Sequence, residues 1–522
     1  MLKNRFLNAL VLSLTVSLFG LVWADGHETE FTFAHSGPIR TMDAPVTWFG
    51  STHWLTNTLY DCLIWRAHEG GGYVPQAAES WESIDDVTWR FHLREGGIFQ
   101  NGEPLDAEAV KWNLDRVMTR EDFLVHPQWA FIDHVTIVDE WTVDVITGKP
   151  HAYTLNDISY NGCQLLPPDY LTEVGEEEFA RNPVGSGPYK LVELKESDRY
   201  VFEAWDDYWA GRPAIDRIIY QVIPEQASQI AALLAGQVDF VPSVPLPEVA
   251  RLQGESDILL QQGAPSRMIH LYLRGETESG AMDETYPGYE PATLDIRIRQ
   301  AISHALDRTL LAEVQGSARP ALVRIASTHR ESFAKKYHGE LNADVWFDQD
   351  KARALIKEAG YTNANKPKLF FDAMAFQLGN EKEVAEVVKA MLEDVGFEVE
   401  LNILGLSALR EQVGSPGNNR DAYMVALGGS PFLTPLFYTC EWQQANYNVC
   451  VEEWDSVGKQ ILTTIDADER LALWERWQEI FIEQAVTVPL YEVVGVTAMN
   501  NEFDWTPRAD GWFTFRDLKL RD

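Results

Sequence analysis

The sequence predicts an α/β protein of two or three domains, and three observations carry that expectation. A chain of 522 residues exceeds what one compact core holds. Apolar strands alternate with amphipathic helices across short links, most plainly over residues 369–427, where strand, helix, strand and strand follow one another. The stretch 184–241, VGSGPYKLVELKESDRYVFEAWDDYWAGRPAIDRIIYQVIPEQASQIAALLAGQVDFV, reads strand, strand, aromatic corner, strand, helix, strand.

The first segment stands outside the fold. Lys3 and Arg5 precede a mostly apolar run from 7 to 22, and Val22-Trp23-Ala24 has the loose form of a cleavage site. Residues 1–24 therefore read as a secretory signal peptide, too short in its apolar part for a membrane span. No cysteine sits at the cleavage site, so the expectation is a free exported protein without a lipid anchor. No later segment is long and apolar enough to cross a membrane.

The elements follow in order. Residues 31–34 predict a strand, and 35–52 a polar loop carrying Trp48 and Phe49. Leu55, Leu59, Cys62 and Leu63 recur at helical spacing, predicting a helix over 54–63. An alternating strand over 88–94 is broken by Gly96 and Gly97, and a tight turn follows over 99–105. Asp106 is placed to cap a helix over 107–117 whose apolar stripe is Val110, Leu114 and Val117. A loop over 121–131 and a hairpin around Glu140 come next.

In the 184–241 stretch, Gly185-Ser186-Gly187-Pro188 makes a turn, 189–194 and 200–204 a hairpin, and 218–223 an apolar strand. A helix over 227–235 stops at Gly236, before a buried strand over 238–241. From 261 the character changes: a strand over 268–273, an acidic loop over 275–293, then a helix over 295–308. Helices are expected at 350–361, ended by Gly360, at 381–395, ended by Gly396, and at 466–484 with Trp474 and Trp477 inside it. Strands are expected at 369–373, 397–403 and 422–427, with an extended return over 486–491.

Acidic residues number 79 against 43 basic, a formal charge of −36, so nucleic acid and anionic membrane are poor partners. A cationic ligand or a surface adapted to salty surroundings would each account for the excess. The acids are spread throughout, which favours the second. Cys440 and Cys450 bracket a polar loop and are expected to form a disulfide; Cys62 and Cys163 pair or remain buried thiols. There is no CxxC, GxSxG, HExxH, Walker loop or GxGxxG, so no catalytic residue, metal site or cofactor is expected.

Several ordered motifs carry a resemblance. GSGPY at 185–189, the aromatic corner Trp205-Asp206-Asp207-Tyr208-Trp209, Gly211-Arg212-Pro213 and Ala235-Gly236-Gln237-Val238-Asp239 occur at fixed spacing. Upstream stand Ala78-Glu79-Ser80-Trp81, then Trp89-Arg90-Phe91-His92-Leu93-Arg94, then Phe99-Gln100-Asn101-Gly102 leading to Asp106-Ala107-Glu108-Ala109-Val110. Downstream, Asp295-Ile296-Arg297-Ile298-Arg299-Gln300-Ala301-Ile302 begins a further block. Together they resemble the family 5 extracellular solute-binding proteins of ABC importers, the peptide, nickel and oligosaccharide type, from about residue 30 to the end.

The resemblance implies a two-lobed periplasmic binding protein fold with three subdomains and a hinge. Domain I would comprise 25–70, 184–275 and 495–522, domain II 71–183 and domain III, the second lobe, 276–494. Two strands would cross between the lobes, and a solute would be buried in the cleft on closure. It implies ligand contacts at Trp48, Phe49, Ser51, His126, Trp129, Asn161, Gly429, Ser430, Phe432, Asn446, Tyr447 and Tyr491. It also implies a monomer in the periplasm that delivers its solute to ABC permease subunits.

The Cys440–Cys450 loop, with Asn446-Tyr447 inside it, is similar to the disulfide loop of dipeptide-binding proteins. Those carry an Asp in a preceding Trp-containing run, where this sequence has Leu427-Gly428-Gly429-Ser430-Pro431-Phe432-Leu433. A peptide's free α-amine would then need another carboxylate, with Glu441 and Glu492 as candidates. A di- or oligopeptide leads as ligand. An oligosaccharide, suited to tryptophan platforms, and a nickel chelate near His126 are the alternatives.

Overall fold

A computed structural model describes residues 28–39, 41–46, 50–68, 72–275, 290–316, 318–323, 346–374, 380–405, 408, 420–428, 439–440, 448–508 and 510–521. Among these residues one sheet of eleven strands runs through the whole molecule. At one end Glu398–Leu404, Lys368–Met374 and Ala422–Gly428 lie parallel; at the other Glu30–His35 lies parallel to Arg217–Val222, flanked by the hairpin Arg199–Ala204 and Tyr189–Lys195. Two long antiparallel strands, Ile258–Leu273 and Thr487–Asn500, connect the two ends.

Each end has its own core. The helix Glu381–Val395 connects two parallel strands as a right-sized crossover, burying Val384, Val388 and Leu392 against Phe371 and Ile298. Its apolar residues recur at helical spacing, and Gly396 ends it at φ 115°, where a side chain would be strained. At the other end Phe33, Tyr220, Phe240 and Phe515 fill the core beneath Glu30–His35. A separate four-stranded sheet, Ala78–Asp85, Thr88–Leu93, Thr142–Thr147 and Ile132–Asp139, packs on the helix Ala107–Thr119. Asp106 caps that helix as expected, accepting from Ala109 N at 3.0 Å.

The motif residues build the frame between the first sheet end and this separate sheet. Gly187 N donates to Leu59 O, and a Cβ on Gly185 or Gly187 would lie 1.9 or 2.7 Å from the Leu59 backbone. Only glycine allows that approach. Gln100 of the F-Q-N-G turn accepts from Gly185 N and donates to Gly187 O and Tyr189 O. Asp61, fully buried, accepts from Tyr208 Oη, Trp209 Nε1 and Arg516 Nη1 at 3.0, 2.7 and 2.5 Å. The aromatic corner and the C-terminal segment thus converge on one carboxylate. Ser186 accepts from Asp61 N and donates to Leu165 O, so the glycine-flanked serine holds backbone together.

Both cysteine pairs are bridged. Cys440–Cys450 closes as expected, and Cys62–Cys163, left open by the sequence, is also a disulfide.

Several boundaries differ from the sequence reading, among them the extended return expected at 486–491, which is the longer strand Thr487–Asn500. The first helix is Gly50–Leu59, starting inside the expected polar loop and stopping where Gly187 takes the Leu59 carbonyl. The loop 121–131 contains the short helix His126–Trp129. The strand expected at 268–273 begins ten residues earlier, at Ile258, because pairing with Thr487–Asn500 carries it through Gly263 and Pro265. The helix expected over 295–308 is two helices, Ile296–Ala305 and Arg308–Gln315, because Asp307 caps the second by accepting from Leu310 N. Helices Glu452–Thr463 and Pro168–Val174 were not anticipated.

Candidate functional site

The two connecting strands define where a site can lie. Ile258–Gln262 pairs with Val496–Asn500 at the first end, and Arg267–Tyr272 with Thr487–Val493 at the second. Between them the register shifts twice, around Pro265, and a Cβ added to Gly263 would lie 3.5 Å from Gly495 O. Broken register and small side chains at the crossing give a hinge, where a few residues absorb the backbone rotation of lobe closure.

The lobes also meet along one edge. Ala152 N of the segment after the four-stranded sheet donates to Leu462 O at 2.8 Å, in the helix Glu452–Thr463. Tyr153 accepts from Trp474 Nε1 at 2.8 Å and has the Arg470 guanidinium 5.7 Å over its ring. Arg470 is steered there by Thr464 O and Ile465 O, at the C-terminal end of Glu452–Thr463. His151 holds this segment: its Nε2 is 2.7 Å from buried Asp157, and its ring stacks on Phe131 at 4.4 Å. Among the described residues, the lobes thus touch at the crossing strands and along this edge.

The residues expected to bind ligand divide into three groups. Trp48, Phe49, Gly429, Ser430, Phe432, Asn446 and Tyr447, with Glu441, lie outside the described residues; Ser51 lies in the helix Gly50–Leu59. His126, Trp129 and Asn161 come together, though as part of a core. Trp129 is fully buried among Phe99, Val110 and Leu165 and donates to Asn161 O at 2.9 Å. Trp129, expected as a ligand contact, has its polar edge satisfied and its faces packed in this core. Gly162 follows at φ 87°, and a Cβ on it would meet Trp129 Nε1 at 2.8 Å. His126 Nδ1 is 3.2 Å from Val117 O, while the Asn161 side-chain carbonyl is buried and has no hydrogen-bond partner among the described residues.

Tyr491 is likewise core. It is fully buried, donates to Gln315 Oε1 at 3.1 Å, and burial pushes its phenol far above the ordinary tyrosine value. Its strand position misled because both faces of the strand are covered in the second lobe. Glu492, the proposed substitute carboxylate, is buried next to it, opposite Met268.

Arginines of the downstream motif are structural. Arg308 is fully buried and donates to Pro489 O and Ser303 O, and burial pushes it down to about 9. Arg299 donates to Gln484 O, Thr293 O and Leu294 O, and is pushed down to about 10 for the same reason. They tie the helix Ile296–Ala305 and its successor to the segment entering Thr487–Asn500. A cavity of about 210 Å³ lies elsewhere, among Ile39, Met42, Leu194 and Tyr200, and belongs to the outer surface of the first end.

Two lobes joined by paired crossing strands are the build of a periplasmic binding protein. The chain belongs to the bacterial extracellular solute-binding proteins, family 5, matching that family over residues 72–448, and these are components of ABC importers. Glutathione-binding protein GsiB of Pectobacterium atrosepticum is 26% identical over 463 residues, covering 85% of each chain. The crystal structure of the ABC transporter substrate-binding protein CtaP of Listeria monocytogenes superposes with a TM-score of 0.82 at 20% identity, covering 95% of this chain and 100% of that one. The dipeptide-binding protein of Pseudoalteromonas sp. SM9913, solved with Met-Leu, superposes with a TM-score of 0.74 at 19% identity, covering 94% and 100%.

Proposed function

We propose that this protein captures a di- or oligopeptide in the periplasm and presents it to the permease of an ABC importer. The observation that carries the reading is the pair of crossing strands with a broken register between lobes that touch at Tyr153 and Trp474. That geometry suits a clamp that closes on a solute. The peptide class is supported by the relative named for binding glutathione, itself a peptide, and by the similar fold solved with Met-Leu.

In this reading residues 1–24 are removed on export, and the mature protein acts as a free monomer. Domain I is formed from 25–70, 184–275 and 495–522, domain II from 71–183 and domain III from 276–494. The aromatic and glycine-rich residues at 48–51, 429–432 and 446–447 are the proposed lining of the cleft. The protein binds and releases its solute without chemical change.

Small-angle scattering with and without a mixture of di- and tripeptides tests the clamp. A decrease in radius of gyration on adding peptides is expected. An unchanged profile at peptide concentrations that saturate binding would contradict closure around the solute.

A further inference from the structure

Arg267 differs from the arginines around it. It is the first paired residue of Ile258–Leu273 after the two register breaks around Pro265, opposite Val493 on one side and Gly428 on the other. It therefore enters the second lobe at the hinge, beside the end of the strand Ala422–Gly428, which leads into residues 429–432. Its side chain is exposed, and among the described residues it makes no ion pair or hydrogen bond. Arg299 and Arg308 nearby are each saturated by carbonyl oxygens, and Arg420 is paired with Asp372 at 2.7 Å. An arginine that finds no acid is conspicuous in a chain with 79 acidic residues.

The residue is exposed, and the protein around its guanidinium lowers the pKa below the ordinary arginine value by desolvation. Exposed, unpaired among the described residues and next to the crossing between the lobes, it stands where a solute entering between them can reach it. There an unpaired charge is held at a solvation cost that an incoming anion would relieve, since interactions strengthen as water is excluded. A guanidinium offers two parallel N–H donors that match a carboxylate.

We propose that Arg267 is the anion anchor of the cleft and binds the carboxylate of the incoming solute, the C-terminal carboxylate if that solute is a peptide. The peptide form of this claim rests on the function proposed above. Placing the anchor on a crossing strand has a consequence: a carboxylate bound there sits at the hinge, where either lobe can close over it. The overall negative charge does not oppose this, because a local unpaired cation sets the sign at short range within a Debye length.

Arg319 supplies the internal control. It is also exposed, on the short strand Ala318–Pro320, but it stands opposite Glu492, whereas Arg267 aligns with Val493 and Ala318. By strand alternation the two arginines project from opposite faces. Removing either deletes one positive charge, so a non-specific charge effect would appear equally in both.

The test is calorimetric titration of the full-length exported protein with matched peptides, Met-Leu and glutathione, each as free acid and as C-terminal amide. The wild type should bind a free acid at least tenfold more tightly than its amide. Arg267→Met should bind that acid at least tenfold more weakly and lose the preference, while its unliganded melting temperature stays close to wild type. Arg319→Met should remain within about twofold of wild type. Retention of both affinity and preference in Arg267→Met would overturn the anchor while leaving peptide binding intact.

If the wild type binds neither peptide, the peptide reading fails and the anchor is judged on the solute that co-purifies with the protein. An anionic solute lost in Arg267→Met would support it. A solute without an acidic group would overturn it.

Discussion

Trp474 donates its indole N–H to the Tyr153 hydroxyl at 2.8 Å, joining side chains 321 residues apart on opposite lobes. Trp474 is fixed from behind by Trp477, with ring centroids 5.4 Å apart and nearly perpendicular, and both are buried. The donor therefore belongs to a rigid helix face, and the acceptor comes from a segment pinned by the His151–Asp157 contact. Tyr153→Phe removes this bond while keeping the ring. Peptide affinity should fall about two- to tenfold, the equivalent of one net hydrogen bond of roughly 0.5–1.5 kcal/mol. Unchanged affinity by titration calorimetry would mean that this contact is equally present in the open and closed states.

Asp61 should be a far more sensitive position. It is fully buried and compensates the largely buried Arg516 guanidinium while accepting from two aromatic donors. Asp61→Ala leaves that arginine buried without its anion, and the cost of breaking such a pair is about 3–5 kcal/mol. Denaturant unfolding should report it. A loss below about 1 kcal/mol would show that Arg516 finds another partner.

The two disulfides should contribute unequally. Cys62–Cys163 spans 101 residues and Cys440–Cys450 spans 10. Loop-closure entropy gives about 4.7 kcal/mol for the longer loop and about 2.7 kcal/mol for the shorter. The double variant Cys62→Ser, Cys163→Ser should thus melt lower than Cys440→Ser, Cys450→Ser, as seen by calorimetry. The reverse order would show that native packing, and not chain entropy, dominates.

Much of the scaffold was legible in the sequence because its signals were local. Asp106 announces the start of one helix and Gly396 the end of another, and both act as their residue types require. The strand Ile258–Leu273 was half hidden because Gly263 and Pro265 read as breakers, although they mark the hinge within a continuous strand. The double helix at 296–315 was obscured because the apolar pattern runs through Leu306, while Asp307 caps a new helix.

The candidate site was harder for the same reason in reverse. Trp129 and Tyr491 have the residue type of a cleft wall, but each is claimed by a partner distant in sequence, Asn161 O and Gln315 Oε1. Arg267 carried no motif. What distinguishes it is that it pairs with no acid among the described residues, a property of the folded neighbourhood.

Acid should destabilise the protein partly through two histidines. His304 is buried with its Nδ1 2.6 Å from Trp346 O and its ring stacked on Trp346 at 4.6 Å. Burial lowers its pKa, as it does for His35 in the first core. Below about pH 6.5 the unfolded chain takes up protons that the folded imidazoles refuse, so stability falls as pH drops through that value. The melting temperature of His304→Gln should decline less steeply than wild type between about pH 7 and pH 5.5. Parallel curves would show that His304 contributes nothing to the slope.

Native mass spectrometry of the protein purified from its exporting host, followed by denaturation and identification of what is released, bears most directly on peptide capture. A di- or oligopeptide released at one molecule per chain is the expected result. A sugar or a metal chelate released in the same proportion would contradict it.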